Sequence, residues 1–241
     1  MTLYAYCLSD ELADSMLEDV AGVSGTGLRL LESGGIRVAV SEFEGERVEV
    51  GRENVFAHER VVQHVLRQIT PLPFRFGTLV TMAGLEEFLK ANRARLIKSL
   101  EHVRGSVEMS VKIIWDAESI RRLALGAEGS GNRKQDETTL QGRGAAYLAA
   151  KRQQILGEEQ LKERAAEVAD WLTQEVGGAA CDRDVQVRPS DSLVVRAAYL
   201  VRREWLADYR QRLEEARAAR PDLRFLTSGP WPPYSFSSIN P

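Results

Sequence analysis

Alternation of polar and apolar residues over 106–115 constrains the fold of this chain more than any other feature of the sequence. The apolar set is Val107, Met109, Val111, Ile113 and Trp115, and the polar set between them is Ser106, Glu108, Ser110 and Lys112. Successive side chains of a β-strand point to opposite faces of its sheet. The pattern therefore predicts a strand with one face on a core and the other face largely polar.

The segments after this strand predict a ferredoxin-like second half. A helix is predicted over 144–176 from its Ala, Glu, Gln, Lys and Arg content, and a second helix over 202–220 from its apolar stripe. Short apolar runs predict strands over 185–187, 193–201 and 223–227. The resulting order is β, α, β, β, α, β, which is the split βαβ pattern of ferredoxin-like domains.

The first half is also mixed but follows a different order. Apolar runs predict strands over 3–8, 28–31, 36–40 and 74–80, and helical stripes predict helices over 10–20, 53–69 and 84–103. In the predicted strand 74–80, Phe74 and Phe76 would share one face. Gly105 is the predicted stop of the last helix.

We therefore predict the α+β class with two domains, residues 1–104 and 105–241. The second domain would include a mobile loop over about 126–143, which is rich in polar residues and glycine, and a stiff proline and aromatic tail over 229–241.

Composition excludes several classes of protein. The 32 Lys and Arg residues nearly balance the 35 Asp and Glu residues, so the chain lacks the basic excess of a nucleic-acid binder. No apolar run approaches the roughly 18 residues of a membrane span, and the first residues lack the basic start of a secretory signal. Only Cys7 and Cys181 are present, without a disulfide framework. These features predict a cytoplasmic protein that binds neither nucleic acid nor membrane.

The sequence offers no convincing catalytic or metal-binding set. Its three histidines are His58, His64 and His102, and the spacing of the first two cannot bring both rings to one metal ion on a straight helix. His58 falls on the apolar stripe of its helix, which favours a buried structural role. Asp182 and Asp184 form only a weak acidic pair, in a predicted turn. We predict no metal, no cofactor and no enzymatic activity. Two weaker hypotheses remain open: an enzyme using His58 with a carboxylate, and an RNA binder using the arginines of 196–224.

Two segments combine proline with aromatic residues. The first contains Pro73, Phe74, Arg75, Phe76, Gly77 and Thr78, and the second contains Trp231, Pro232, Pro233, Tyr234 and Phe236. Such residues can serve as a clamp that fills the protein's own core, or as an apolar docking surface for another protein. We favour the clamp and keep both as hypotheses.

These two segments also carry a family resemblance. Residues 72–78 (LPFRFGT) and 227–236 (TSGPWPPYSF), together with 3–6, 58–62, 105–108, 144–148 and 197–201, make the chain similar to the gas vesicle protein F/L family. Cys7 stands where that family often has glycine.

The resemblance implies a non-enzymatic accessory protein that is a minor component of gas vesicles. Such a protein would bind the small hydrophobic shell protein, and other accessory proteins as further partners, and would limit shell-protein aggregation during nucleation. It would act in the cytoplasm and on the vesicle, and the two segments named above are its candidate structural and interaction motifs. The resemblance also implies a two-domain fold whose second domain is a modified ferredoxin-like one. The alternative function is a ligand-binding regulatory module built on that domain.

Overall fold

The chain forms two antiparallel sheets, one from each half of the sequence. The structure is a computed structural model, which describes residues 2–116, 159, 161–188, 192–237 and 239. The first sheet has five strands and the second has four. The predicted α+β class is therefore confirmed. The division at residues 104 and 105 stays a prediction, as do the mobile loop over 126–143 and the helix over 144–158, which lie outside the described residues.

The first sheet lies between two helices. Its strands are β1 (Thr2–Ser9), β2 (Leu28–Ser33), β3 (Ile36–Phe43), β4 (Leu72–Pro73) and β5 (Leu79–Thr81), and its helices are α1 (Arg52–Leu66) and α2 (Met82–Val103). The strand order is β2-β3-β1-β4, and β5 also pairs with β1. Strand β1 is buried on both faces because α1 packs on the side of Tyr4 and Tyr6, whereas α2 packs on the side of Leu3 and Ala5.

Local sequence signals explain where the elements of this half begin and end. Gly34 and Gly35 turn the chain between β2 and β3 with φ of 60° and 81°, a region that glycine enters without strain. The hydroxyl of Thr81 caps α2 by accepting the N–H of Gly84 at 3.1 Å. Gly105 has φ of 69° just after α2, as predicted for the residue that stops this helix.

The second sheet has the predicted ferredoxin-like order. Its elements are β6 (Ser106–Asp116), α3 (161–176), β7 (Asp182–Arg188), β8 (Ser192–Arg202), α4 (Leu206–Ala219) and β9 (Arg224–Trp231). The strand order is β7-β8-β6-β9, with every neighbouring pair antiparallel. Both helices pack on one face of this sheet, where Leu172 and Leu213 join Val111 and Tyr199 in one core.

The predicted helix over 10–20 is wrong. Only Asp14–Met16 forms a helical turn, of the 3₁₀ type. The carbonyl of Leu12 accepts a hydrogen bond from Arg37 at 2.6 Å, and the N–H of Met16 bonds to the carbonyl of Ala13. A tertiary contact thus occupies a carbonyl that an α-helix would have used.

The predicted strand over 74–80 is also wrong, because a turn separates the short strands β4 and β5. Phe74 packs with the core on the α2 side of the sheet, whereas Phe76 packs on the α1 side, so the two rings do not share a face. Two further elements differ in extent. The pair Asp182 and Asp184 lies in β7 and not in a turn, and β9 continues to Trp231.

Of the helices in the described ranges, none is both long enough and apolar enough to cross a bilayer.

Candidate functional site

The first proline–aromatic segment forms a tight turn anchored to β1. The N–H of Thr78 donates to the carbonyl of Arg75 at 3.2 Å, and Gly77 has φ of 83°. Residues that carry a side chain rarely adopt this backbone conformation, so glycine is the residue that closes this turn without strain. The N–H of Gly77 donates to the hydroxyl of Tyr4 at 3.0 Å, which ties the turn to the central strand.

The second segment leaves the end of β9 and turns back toward the first half. The N–H of Tyr234 donates to the carbonyl of Pro232 at 2.7 Å, and both prolines of this turn are buried. Gly229 precedes the turn with φ of 123°, and a Cβ added there would lie 2.8 Å from the carbonyl oxygen of Glu108. Only glycine therefore fits where β9 crosses β6 so closely.

Glu108 holds this tail against the second sheet. Its carboxylate accepts the N–H of Ser235 at 2.7 Å and the hydroxyl of Ser235 at 2.9 Å, and its side chain is 6% exposed. Burial raises the pKa of Glu108, although the two hydrogen bonds from Ser235 oppose that rise. The carboxylate thus stabilises the turn of the tail at a buried position.

The two segments meet at His58 on α1. The hydroxyl of Tyr4 lies 2.9 Å from Nδ1 of His58, and the hydroxyl of Tyr234 lies 3.2 Å from Nε2. The ring of Phe76 makes an edge contact with the imidazole at 6.0 Å, and the ring of Tyr6 stacks on it at 5.7 Å. His58 therefore joins β1, the first segment and the tail.

Each nitrogen of the His58 ring has a tyrosine hydroxyl as its hydrogen-bond partner. The oxygen of Tyr4 also accepts the N–H of Gly77. The tautomer of the ring decides which of its two nitrogens donates. Burial lowers the pKa of His58 to about 4, while a hydrogen bond to the Phe74 backbone acts in the opposite direction. The ring is consequently neutral at neutral pH.

This arrangement does not equip His58 for acid–base chemistry. Both ring nitrogens contact tyrosine hydroxyls, and burial raises the pKa of Tyr4 and of Tyr234. A general base needs a nitrogen that can reach a substrate proton. Burial also raises the pKa of the Cys7 thiol to about 12, which suits a packed side chain and not a nucleophile. Within the described ranges no group of three or more acidic, His or Cys side chains could hold a metal ion.

The predicted interaction residues divide into inward and outward sets. Phe74 is fully buried, Phe76 and Tyr234 are half-buried at His58, and Phe236 packs on the core of the first half. Arg75 is exposed, and Trp231 is 36% exposed. Most aromatic rings of the two segments thus fill the protein's own interior, and Trp231 is the aromatic of the set that is available to a partner.

Phe56 is an outward-facing aromatic that the sequence prediction missed. Phe56 lies on α1 and is 55% exposed. The guanidinium carbon of Arg52 lies 5.8 Å from the centre of the Phe56 ring. Two turns further along α1, Gln63 approaches the carbonyl of Pro230 at 3.5 Å, so the tail runs beside this flank of the helix. The available signal was an aromatic residue that falls outside the buried stripe of an amphipathic helix.

Solved structures of other proteins have the same fold. A crystal structure of gas vesicle protein GvpF from Microcystis aeruginosa superposes with a TM-score of 0.81 at 20% identity and covers 99% of each chain. A crystal structure of GvpF from Anabaena gives a TM-score of 0.78 at 22% identity, over 99% of this chain and 97% of that one. The chain therefore has the fold seen in gas vesicle proteins of this type.

Sequence comparison then shows the family. The family model described as gas vesicle synthesis protein GvpL/GvpF matches residues 2–238. Gas vesicle protein L1 of Halobacterium salinarum is 24% identical over 255 residues, which cover 97% of this chain and 89% of that relative. Gas vesicle protein L of a Streptomyces species is 24% identical over 260 residues, covering 98% and 92%. The chain belongs to the GvpL/GvpF family of gas vesicle proteins.

Proposed function

We propose that this chain is a gas vesicle accessory protein, a minor component of the vesicle, that binds the small hydrophobic shell protein and limits its aggregation during nucleation. It acts through non-covalent contact and catalyses no reaction. Family membership supports this role over the alternative of a ligand-binding regulatory module. The structural observation that carries the proposal is the exposed aromatic surface beside α1, which we call the α1–tail surface and define by Phe56, Gln63, Pro230 and Trp231.

The α1–tail surface combines apolar exposure with rigidity. Phe56 and Trp231 present partly exposed rings, and Val50, just before α1, is 83% exposed. The contacts of Gln63 with Pro230 and of His58 with Tyr234 hold the tail to the helix before any partner arrives. Binding to a surface that is already ordered loses less conformational entropy than binding to a mobile segment.

The chemistry of the partner matches such a surface. A protein that encloses a gas space must present a large apolar face, and before assembly that face promotes aggregation. A partner that covers it needs rigid apolar contacts and no catalytic group. The buried state of His58 and Cys7 is consistent with a molecule whose reactive side chains serve packing.

Co-expression with the shell protein tests this proposal. We expect Phe56→Ser combined with Trp231→Ser to reduce the shell protein recovered in soluble complexes by at least about tenfold, because two apolar contacts of roughly 1 kcal/mol or more are lost. The matched control is Trp205→Ser, which removes a 42% exposed aromatic elsewhere on the surface. Thermal denaturation checks that all variants remain folded.

Two outcomes would contradict the proposal. If the wild-type chain does not bind the shell protein, the proposed partner is wrong. If Trp205→Ser reduces binding as much as the double variant does, the α1–tail surface is not the docking site.

A further inference from the structure

The second sheet has a groove on the face opposite its helices. Helices α3 and α4 cover one face, and on the other face Leu200 packs against the core of the first half at one end. The remainder of that face forms a groove of about 430 Å³, bordered by Ser235 of the tail. We call it the cationic groove and define it by Lys112, Arg196, Ser110, Ser228, Leu226 and Asp184, which are among its lining residues.

Two positive side chains oppose each other in the lining of this groove. Lys112 on β6 and Arg196 on β8 are direct partners in the strand register, so their side chains leave the same face. Like charges in directly opposed positions of neighbouring strands destabilise a sheet. Lysines often protect the edges of sheets from aggregation, but β6 and β8 are the two central strands, so that explanation does not apply here.

The described part of the chain does not neutralise this pair. Neither Lys112 nor Arg196 forms an ion pair or hydrogen bond with another described side chain. Asp184 is the one carboxylate among the described lining residues, and its Oδ2 accepts a hydrogen bond from Gln186 at 3.1 Å. Among the described residues, both cationic side chains of the groove are thus without an ion-pair partner.

Other lining groups extend the same chemistry. Ser110 carries a hydroxyl that can donate, and the Oγ of Ser228 accepts the indole N–H of Trp231 at 3.0 Å, which leaves its own proton to donate. Leu226 lies in register with Lys112 and is exposed, so it offers apolar contact beside the donors. A carboxylate on a short aliphatic stem matches this combination, and the volume accommodates more than one side chain.

We propose that the cationic groove binds an acidic, carboxylate-bearing peptide segment of a partner protein, with Lys112 and Arg196 sharing one carboxylate. The inference goes beyond the proposed function and does not depend on it, because the groove and the α1–tail surface use different residues. Its partner is recognised by negative charge, whereas the shell protein would be recognised by apolar surface.

Fluorescence polarisation with labelled hexaglutamate tests the proposal on the full-length protein at low ionic strength. We expect saturable binding that weakens about fivefold to tenfold in Arg196→Gln and in Lys112→Gln, because each change removes one charged contact. Asp184→Asn should tighten binding, since it removes from the groove a negative charge that repels the glutamate carboxylates. Arg210→Gln on α4 is the matched control, because it makes the same change in net charge at an exposed site.

A second measurement separates the groove from mere loss of folding. Lys112→Gln should keep or raise the thermal midpoint, because it relieves the repulsion with Arg196. Absence of wild-type binding, equal binding of hexaglutamine, or an equal loss in Arg210→Gln would each overturn the proposal. A wild-type dimer in sedimentation that Arg196→Gln dissociates would also overturn it, because the occupant would then be a second copy of the chain. None of these outcomes bears on shell-protein binding.

Discussion

At the scale of single residues, the most informative position is a buried histidine. His58 is 2% exposed and joins three distant parts of the chain through Tyr4, Phe76 and Tyr234. Its helical stripe predicted burial correctly. The stripe could not predict its partners, because the hydrogen bond to Tyr234 joins residues that are 176 positions apart in sequence.

The protonation of His58 predicts a dependence of stability on pH. Burial lowers its folded pKa to about 4, whereas an unfolded histidine titrates near 6.5, so the unfolded chain binds the extra proton between these values. The contribution of the neutral ring is complete above pH of about 6.5 and is lost as the pH falls toward 4. The limiting loss is about 3 kcal/mol.

Urea denaturation of wild type and His58→Gln at several pH values between 7 and 4 measures the contribution of His58 to the free energy of unfolding. We expect the variant to be less stable at pH 7 and to lose less stability on acidification, because glutamine does not titrate. Equal pH slopes in both proteins would show that the pH dependence arises at other groups.

At the scale of elements, the C-terminal tail behaves as part of the core. Pro232, Pro233 and Ile239 are buried, and Ser235 is bound by the Glu108 carboxylate. These contacts support the clamp interpretation of the aromatic tail, while the partly exposed ring of Trp231 keeps the docking interpretation open for that residue.

Removal of the tail should therefore destabilise the protein itself, whether or not a partner is present. We expect truncation after Trp231 to lower the free energy of unfolding by several kcal/mol, because it exposes the surfaces that Tyr234, Phe236 and Ile239 cover. Glu108→Gln is the milder variant, since the amide oxygen still accepts one hydrogen bond from Ser235, and it should cost about 1 kcal/mol. Chemical denaturation measures both. A truncated protein of unchanged stability would refute the clamp.

At the scale of the whole molecule, the two halves share core residues. Leu66 of α1 packs in the core of the second sheet, and Leu200 of β8 packs in the core of the first. Hydrogen bonds reinforce this contact, with Thr70 donating to the carbonyl of Ser106 at 2.8 Å and Arg203 donating to the carbonyls of Leu66 and Ile69. Arg203 thus caps the end of α1 from the other half of the chain.

This shared packing predicts that the halves unfold together. We expect a single calorimetric transition for the wild type, and a loss of about 1–2 kcal/mol in Arg203→Ala because carbonyls at the end of α1 lose a charged donor. Arg202→Ala is the control, since the guanidinium of Arg202 lies over the ring of Trp205 and pairs with Glu204. Two separate transitions in the wild type would show that the halves are thermodynamically independent.

The sequence by itself determined the types of the main elements and the family. The alternation over 106–115 and the apolar stripes of α1 and α2 show which face of each element is buried. These patterns can be read from neighbouring residues alone, because they do not depend on which other element covers that face. Segment 10–20 is where this local reading fails. Its apolar spacing predicts a helix, but the carbonyl of Leu12 accepts a hydrogen bond from Arg37 instead of one from within a helix.

Only the tertiary structure decided which surfaces remain available. The meeting of both proline–aromatic segments at His58, the exposure of Phe56 and the opposition of Lys112 to Arg196 each depend on residues brought together from distant parts of the chain. Periodicity reports which side of an element is apolar, but the partner that covers that side is chosen by the packing of the whole chain, since burial is a property of the assembled molecule.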